Sequence, residues 1–545
     1  MIGGYLLIQQ LLSQFKDNSF NYWSFIFRKL VRLWPLILLA SVVSLAAGYF
    51  LMLPDDYENL AESAIASSVF ANNILQCITT KNYWDVVNLY KPLMHLWYIG
   101  ILMQAYVVLP VVFMMLKYIL GDAGKGIFAG TIGIAVISLI LYLAPFFTTA
   151  WKFYYLPFRL FEMTAGGLIV FADLRLRIKQ KKICVTCAIT VMLVMLCSRT
   201  EIVSPSFMLL VTSGAAVIFV GCMKNFEFQN QIVTKIVNYG SIIGKYSYSI
   251  YIWHQIIVAF LFYSVFPKRD IKSFVVFAVM TIIISMISYH LIEVLLGQTL
   301  RSKKMEKIII AGSTFAAAIL CGVSFFIYNH AGGHNVPELG INKNNVHHNM
   351  HAEYCDRPYS WNKAFENDGR QHILVLGNSF GRDWANILYE WNHSLDISYL
   401  YYTEETFNKH DERIELADII FYVKGPGYEE VPENILEIDR GRLYIVGNKN
   451  YGESNGIIFS HRKTDYYFEQ TADIPDGLLE ENEREKIRYG NRYIDMITPV
   501  LCDDGRVKVF TDDKMFISQD CRHLTQAGAK YYARILDMDQ ILALK

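Results

Sequence analysis

The feature that most constrains this chain is a series of long apolar runs within its first 328 residues. An α-helix needs roughly 20 mostly apolar residues to cross a bilayer, and shorter runs can cross when neighbouring helices cover them. Nine runs are present, near residues 31–52, 93–117, 124–146, 157–172, 182–198, 207–223, 247–266, 273–296 and 306–328. Residues 1–14 resemble the second half of a tenth run, without the basic segment and cleavage site of a secretory signal. We therefore predict a multi-pass α-helical membrane domain.

The rest of the chain has a different composition, because most of its Asp and Glu residues lie beyond residue 328. Apolar stretches that end in glycine at 371–380, 417–427 and 442–452 indicate strands, and helical patterns separate or follow them. Such alternation predicts an α/β/α domain with a parallel sheet and its chemistry at the carboxyl ends of the strands. The predicted boundaries are a membrane domain at 1–305, one further membrane helix at 306–328, a linker at 329–370 and the α/β domain at 371–545.

The distribution of Lys and Arg predicts an orientation in the membrane. Basic residues concentrate in alternate loops, from the group Arg28, Lys29 and Arg32 to the group Lys303, Lys304 and Lys307. These loops are expected on the cytoplasmic side, which places the C-terminal domain outside a plasma or inner membrane. The formal net charge is +0, so nothing in the overall charge indicates a nucleic-acid partner.

Polar residues inside the apolar runs are costly and usually have a function. Arg28 and Arg32 are four residues apart on one helical face and suit a phosphate group, although anchoring at the membrane boundary explains them better in isolation. Arg159 and Glu162 are three apart and can pair within a helix. Taken together with these, further polar residues predict a cavity between helices: His95, Gln104, Ser247, Tyr248, Tyr251, His254, His290 and Glu293.

The order of these motifs resembles the acyltransferase-3 family of membrane O-acyltransferases, in the subgroup with a C-terminal SGNH-type domain. The matching stretches are GGYLLI at 3–8, the Arg-rich stretch at 28–35, His95 with Trp97, Arg159 with Glu162, GKYSYSIYIWH at 244–254 and Ile292 with Glu293. The resemblance implies that Arg28 and Arg32 hold CoA phosphates. It also implies that His95, Trp97 and the other polar residues line an acyl-transfer cavity.

Two departures from the family pattern stand out. Residues 98–103 carry no acid where the family usually has a Glu. The family also begins one helix earlier, and that helix carries the His regarded as the base for acyl transfer. We therefore expect the first transmembrane helix of the family to be missing here, and neither His95 nor His254 is assigned its role.

The C-terminal domain resembles the SGNH hydrolases. A Gly-x-Ser turn after a strand, as at Ser379, is common and by itself does not indicate a nucleophile. Asp520 and His523, however, match the D-x-x-H block of that family, and Ser379 lies in the slot of its first block. In such a set Asp520 orients His523, which takes a proton from the Ser379 hydroxyl.

The oxyanion donors expected from the resemblance are incomplete. Asn378 replaces the usual Asp before the serine. The stretch GPGY, which starts at Gly425, stands where the family has G-x-N-D. Asn378 and the backbone of Gly425 therefore remain the candidate oxyanion residues.

The resemblance implies an O-acyltransferase that takes an acyl group, usually acetyl, from cytoplasmic acetyl-CoA. The acceptor would be an extracytoplasmic glycan: O-antigen, peptidoglycan or exopolysaccharide. Membrane lipid is the other expected partner, and no bound cofactor or metal is expected. The alternatives are a degenerate, non-catalytic glycan-binding protein and a membrane-tethered SGNH esterase.

Two smaller patterns bear on the outer domain. Cys355, Cys502 and Cys521 lie where a disulfide can persist, and one pair among them is plausible. The stretch HHNMH at 347–351 is interpreted as solvated linker rather than a metal site, because no second ligand cluster follows it.

Overall fold

The computed structural model describes residues 1–80, 86–172, 177–198, 203–224, 231–264, 270–299, 302–333, 335–342, 344–405, 407–425 and 430–543. The chain divides into two compact units, each assembled from separate stretches. The first unit comprises Met1–Ser44, Ser63–Ala259 and Asp270–Gly322. The second comprises Leu45–Glu62, Phe260–Arg269 and Val323–Lys545.

Helices dominate the chain as far as residue 329. In the described part of this region they are α1 (Ile2–Lys16), α2 (Tyr22–Leu51), α3 (Pro54–Ser68), α4 (Asn72–Thr79), α5 (Trp97–Leu120), α6 (Ala123–Leu143), α7 (Thr149–Tyr154), α8 (Leu156–Leu168), α9 (Ile178–Cys197), α10 (Pro205–Met223), α11 (Gln231–Lys245), α12 (Ser247–Ser264), α13 (Ile271–Ser288), α14 (Leu295–Thr299) and α15 (Lys303–Asn329). A π-helical segment, Tyr289–Val294, joins α13 to α14. Such segments often mark functional sites.

Among the described residues, seven helices are long and apolar enough to cross a membrane. They are Tyr22–Leu51, Met94–Leu120, Ala123–Leu143, Lys179–Cys197, Pro205–Met223, Ile271–Gly297 and Lys303–Asn329. The prediction of nine spans is thus confirmed for seven, and the chain is a multi-pass membrane protein. The run at 157–172 forms α8, which has 13 residues. The run at 247–266 forms α12, whose 18 residues include polar side chains such as His254 and Gln255.

Small residues bring α1 and α8 into backbone contact. A Cβ on Gly4 would lie 1.9 Å from the Met163 carbonyl oxygen, and one on Gly166 would lie 2.1 Å from the Met1 carbonyl oxygen. Only glycine permits this approach, which replaces side-chain packing by close contact of helix backbones. The buried side chains around it include Leu7, Ile8, Leu11 and Met163.

The second unit is built on a parallel sheet of five strands. In chain order they are β1 (His372–Gly377), β2 (Asp396–Tyr401), β3 (Ile419–Val423), β4 (Leu443–Val446) and β6 (Tyr493–Ile494), and their spatial order is β2-β1-β3-β4-β6. Two short strands, β5 (Thr471–Ala472) and β7 (Val507–Lys508), pair antiparallel beside it. The predicted parallel α/β sheet is confirmed, and β1 is one of its central strands.

Helices cover both faces of this sheet. They are α16 (Met350–Asp356), α17 (Ser379–Trp391), α18 (Glu412–Leu416), α19 (Glu433–Leu436), α20 (Asn455–Ser460), α21 (Leu478–Tyr489), α22 (Gln526–Ile535) and α23 (Met538–Ala543). Side chains alternate between the faces along each strand. Ile373 and Val375 pack in the cluster that contains Trp384 of α17. Leu374 and Leu376 pack in the opposite cluster.

The second unit also includes a piece of chain from the N-terminal half. Leu53 is buried in a cluster with Phe459 and Phe516. The Glu58 Oε2 atom lies 2.6 Å from His348 Nδ1. The predicted linker at 329–370 therefore has defined partners, and it contains α16 and the 3₁₀ segment Arg357–Trp361.

Candidate active site

Ser379 lies where a central strand passes into a helix. β1 ends at Gly377, Asn378 caps α17, and Ser379 is the first residue of that helix. Asn378 Oδ1 accepts a hydrogen bond from the backbone N–H of Phe380 at 3.0 Å. A helix N-terminus offers unpaired N–H groups and partial positive charge to an oxygen that gains negative charge. This position therefore suits a reactive hydroxyl.

Asp520 holds His523 in a closed turn. Asp520 Oδ2 lies 2.6 Å from His523 Nδ1, and Asp520 Oδ1 accepts the backbone N–H groups of Arg522 and His523 at 2.9 and 2.7 Å. Burial alone would raise the pKa of Asp520, but its hydrogen bonds and the nearby imidazoles of His523 and His351 lower that pKa well below the usual range. The Asp520 carboxylate is therefore ionised at neutral pH, and it fixes Nδ1 of His523 as the donor.

The other nitrogen of His523 is available to take a proton. His523 Nε2 is buried and lacks a hydrogen-bond partner among the described residues. The ring centroid lies 5.7 Å from that of Phe380, the residue after Ser379. The backbone N–H of Leu524 donates to Asp383 Oδ1 at 3.2 Å, one helical turn after Ser379. The loop of His523 thus packs on the first turn of the helix that Ser379 begins.

The two candidate oxyanion residues also meet. Gly425 follows β3, which pairs with β1 at the point where the strand order changes direction; ligands bind at such switch points in α/β sheets. A Cβ on Gly425 would lie 1.8 Å from Asn378 Nδ2, so only glycine allows this approach. Residues 426–428 of the GPGY stretch lie outside the described residues.

In the first unit, His95 and His254 share an aromatic cluster. The His95 ring centroid lies 5.2 Å from that of Tyr251 and 5.0 Å from that of His254. His95 Nε2 is 3.0 Å from the Ile252 carbonyl oxygen, and His254 Nδ1 is 2.7 Å from the Tyr251 carbonyl oxygen. The structure brings these two predicted cavity residues together, and each has one ring nitrogen bound to backbone.

The predicted pair of Arg159 and Glu162 forms as expected from their spacing. Arg159 Nε lies 3.0 Å from Glu162 Oε1. The guanidinium also lies over the ring of Trp97, 5.6 Å from its centroid, and over Phe153 at 5.2 Å. Such cation–π contacts hold the arginine in place and join Trp97 to the pair.

A third polar group surrounds Glu293. Its Oε1 atom accepts a hydrogen bond from the Ser249 hydroxyl at 2.5 Å, and Ser249 is 3.1 Å from the Ser288 hydroxyl. Tyr248 donates its hydroxyl to the Leu33 carbonyl oxygen at 2.7 Å.

Several other predicted residues of the first unit are exposed, whereas Gln104 is half-buried and its amide donates to Asn73 Oδ1 at 2.8 Å. Ser247 is exposed at the start of α12, and the buried hydroxyl that contacts Glu293 belongs to Ser249. Ser249 was not among the predicted residues, although its place next to Tyr248 in the stretch SYS puts it on another face of the helix. Arg28 and Arg32 are both exposed on α2, and Arg28 Nε donates to the Ser24 carbonyl oxygen at 3.2 Å.

The cysteines and histidines of the second unit do not form the disulfide that the sequence made plausible, and His348 has a defined partner. Cys355, Cys502 and Cys521 are free thiols, so the single disulfide is not formed. Cys355 Sγ instead lies 3.5 Å from the Leu524 carbonyl oxygen. The described residues hold no cluster of three or more His, Cys, Asp or Glu side chains able to bind a metal ion, and His348 pairs with Glu58.

A model of the acyltransferase-3 family, described as an acyltransferase domain, matches residues 1–290. This match covers more than half of the chain. The chain belongs to the acyltransferase-3 family. The match includes every polar residue of the first unit named above except Glu293.

Two curated relatives of this acyltransferase-3 protein are O-acetyltransferases by name. Peptidoglycan O-acetyltransferase OatA of Listeria monocytogenes serovar 1/2a (strain ATCC BAA-679 / EGD-e) is 26% identical over 274 residues, which cover 47% of this chain and 43% of the relative. The putative O-acetyltransferase SACOL0978 of Staphylococcus aureus (strain COL) is 24% identical over 308 residues, 54% of this chain and 50% of the relative. The chain thus spans about half the length of the curated relatives it matches. No solved structure gives a significant match.

Proposed function

We propose that this chain is an O-acyltransferase that moves an acyl group, in the first instance acetyl, from acyl-CoA to a hydroxyl of an extracytoplasmic cell-envelope glycan. Membership of the acyltransferase-3 family and the names of the relatives support the reaction class. The observation that carries the proposal is His523 Nε2, which has no partner in the part of the chain that the structure describes and lies on a loop that packs against the first turn after Ser379. The name of the Listeria relative makes peptidoglycan the first acceptor to test, before O-antigen and exopolysaccharide.

In the first half of the reaction the acyl group passes to Ser379. His523 Nε2 takes the proton of the Ser379 hydroxyl while Oγ attacks the acyl carbonyl carbon of the donor. The bond from that carbon to the donor's leaving group breaks, and the leaving group takes the proton from His523. Asp520 keeps the imidazole oriented and stabilises its protonated form. The product is an ester on Ser379.

In the second half a glycan hydroxyl replaces the leaving group. His523 Nε2 takes the proton of that hydroxyl, and the glycan oxygen attacks the ester carbon. The bond to Ser379 Oγ breaks, and Oγ recovers its proton from the imidazolium. An ester on the glycan and a free serine result, with no net change in the enzyme.

Both halves place negative charge on the acyl carbonyl oxygen. The N-terminus of α17 and the backbone N–H of Gly425 are the donors assigned to that oxygen, with the Asn378 amide beside them. Loss of one such donor typically slows acyl transfer by about 10²–10³-fold. Gly425 thus has two assigned roles: its lack of a side chain leaves room for Asn378, and its backbone N–H donates to the acyl carbonyl oxygen.

The membrane half is assigned the donor side of the reaction. Acetyl-CoA is the proposed first donor, with Arg28 and Arg32 on its phosphates at a cytoplasmic boundary. The donor that Ser379 attacks is therefore the carrier group to which the membrane half has passed the acyl group. Trp97, Arg159, Glu162, Tyr248, His254 and Glu293 are assigned to the path of the acyl group. In this scheme the second unit is extracytoplasmic and membrane lipid surrounds the apolar helices.

The test uses the full chain in inverted membrane vesicles that contain peptidoglycan fragments as acceptor. Labelled acetyl-CoA is added outside, and acetylated glycan is measured for the parent and for Ser379→Ala. Transfer by the parent alone supports the proposal. Release of acetate from acetylated glycan, without transfer from acetyl-CoA, would make the protein a tethered esterase. Glycan binding with neither activity would make it a non-catalytic binding protein.

A further inference from the structure

A buried ion pair lies behind the proposed catalytic residues. Lys449 Nζ is 2.6 Å from Asp383 Oδ2, and the two side chains are 3% and 1% exposed. Lys449 follows β4, and Asp383 lies on α17 four residues after Ser379. Desolvation makes such pairs poor sources of stability. A role in positioning the neighbouring residues therefore explains the pair better than a contribution to stability.

The Asp383 carboxylate joins two structures through its two oxygens. Oδ2 faces Lys449, and Oδ1 accepts the backbone N–H of Leu524, the residue after His523, at 3.2 Å. On the other side of the same residue, the Leu524 carbonyl oxygen lies 3.5 Å from Cys355 Sγ. The backbone next to His523 is thus held at both its donor and its acceptor.

Lys449 adds a second contact to the same region. Its Nζ atom lies 3.9 Å from the ring centroid of Phe380, and that ring is the one beside His523. One lysine therefore contacts both the Asp383 carboxylate and the aromatic ring that packs beside the imidazole of His523. Both contacts come from residues that are fully enclosed.

We propose that Asp383 and Lys449 are positioning residues that set the imidazole of His523 against the hydroxyl of Ser379. This inference rests on the proposed function, because it assigns the pair to that catalytic set. The path from Ser379 to His523 consists of one helical turn, one carboxylate and one hydrogen bond. Displacement of reacting groups by about 1 Å can slow a reaction by roughly 10²-fold, so loss of this bond is expected to slow acylation of Ser379.

The single variant Asp383→Asn is not a clean test, because it leaves Lys449 buried without its partner. Burial lowers the pKa of Lys449, and the carboxylates of Asp383 and Asp520 and the thiol of Cys355 oppose that effect. Two matched double variants avoid the problem. Asp383→Asn with Lys449→Met keeps an oxygen for the Leu524 N–H, whereas Asp383→Leu with Lys449→Met removes it. Neither variant leaves an unpaired charge at position 383 or 449, and the ionised Asp520 nearby is common to both.

The measurement is the rate at which a fluorophosphonate probe labels Ser379 in the full chain in detergent, as a function of pH. Melting temperature is measured in parallel. We expect the Asn/Met variant to react within about threefold of the parent. We expect the Leu/Met variant to react at least about tenfold more slowly, with a pH profile displaced from that of the parent although both variants melt cooperatively.

The outcomes separate the two proposals. If the parent is not labelled, or if Ser379→Ala is labelled equally, the proposed catalytic set fails. If the parent is labelled specifically and the two folded double variants react alike, the positioning role is wrong. If the Leu/Met variant does not fold, Asp383→Ala with Lys449→Met replaces it, since the smaller side chain avoids a clash. Labelling of that variant at the parent rate would equally overturn the inference.

Discussion

The histidines of the two units differ in what their ring nitrogens contact. In the first unit, His95 and His254 each have a ring nitrogen within hydrogen-bond distance of a backbone carbonyl oxygen. In the second unit, His523 is held through Nδ1 by a carboxylate, and its Nε2 is without a partner among the described residues. Nδ1 of His95 also lacks a partner among the described residues, so the difference lies in the group that orients the ring. A carboxylate, unlike a carbonyl oxygen, stabilises the protonated imidazole that forms during proton transfer.

This difference follows from the architectures. A parallel sheet brings the carboxyl ends of distant strands to one edge, so Asn378 after β1 and Gly425 after β3 meet without any local spacing in the sequence. In the helical unit a polar side chain first meets its own helix and its nearest neighbours. Its hydrogen bonds are therefore often structural even where the residue also has a function.

The largest effect is expected for Ser379→Ala, which tests the proposed catalytic role of the second unit. Because the hydroxyl is the proposed nucleophile, we expect loss of acyl transfer and of probe labelling by about 10⁶-fold, to background. Ser394→Ala, at an exposed serine of the same domain, is the matched control and should retain parent activity. Residual transfer by Ser379→Ala above a tenth of the parent rate would place the chemistry elsewhere.

The second test is Asp520→Asn, which keeps the shape of the side chain but removes its charge. The change favours the wrong tautomer of His523, so we expect a decrease of about 10⁴-fold in the rate of acylation. Because the pKa of Asp520 lies below its usual range, the parent should not lose activity through Asp520 in mildly acidic buffer. Asp512→Asn, at an exposed carboxylate, is the control, and equal rates for the two variants would contradict the assignment.

The third test concerns Glu58, which lies in the N-terminal segment Leu45–Glu62 of the second unit, and it measures the pH dependence of stability. Burial, reinforced by Asp55, raises the pKa of Glu58 to about 7 from its ordinary 4.5, while His348 opposes the shift. The folded chain therefore binds this proton more tightly than the unfolded chain. The stabilisation is complete below the ordinary pKa and is lost as pH rises through about 7.

We therefore expect the melting temperature of the parent to decrease as the pH is raised from 4.5 to about 7. We expect Glu58→Gln to make the melting temperature less dependent on pH over this range. Differential scanning fluorimetry in detergent measures both. Glu437→Gln, at an exposed carboxylate, should leave the slope unchanged. A parent curve that rises over this range in step with the Glu58→Gln curve would show that Glu58 is not the titrating group.

The smallest effect is expected in the first unit. Ser249→Ala removes the hydroxyl that donates to Glu293 at 2.5 Å, and single hydrogen bonds between membrane helices contribute about 0.6 kcal/mol on average. Ser247→Ala changes an exposed hydroxyl on the same helix and should have no measurable effect on unfolding. Equal destabilisation by the two variants would remove the distinction drawn between these serines.

Much of the fold could be predicted from the sequence, because its signals are local. Runs of apolar residues located seven of the membrane helices, and β-rich stretches that end in glycine located β1, β3 and β4. The α8 and α12 segments were harder to assign. A helix that is short or partly polar is stabilised by its neighbours, and an isolated sequence does not show them.

The catalytic set of Ser379, Asp520 and His523 stays a prediction. Asp520 and His523 are close in sequence, so their contact follows from spacing. The sequence did not indicate that Asn378 and Gly425 touch, or that Lys449 reaches Asp383. Those contacts depend on which strands are adjacent, and strand order is not encoded in any short segment.

The burial of Leu53 with Phe459 and Phe516 has a practical consequence for protein production. A soluble fragment that starts at Val323 would expose the apolar surface that Leu53 covers, and it would lack the carboxylate of Glu58 beside His348. Such a fragment is expected to aggregate. Fusing residues 45–62 ahead of Val323 through a flexible tether should restore the cover over this surface and the partner of His348, because the second unit is assembled from stretches that are separate in sequence.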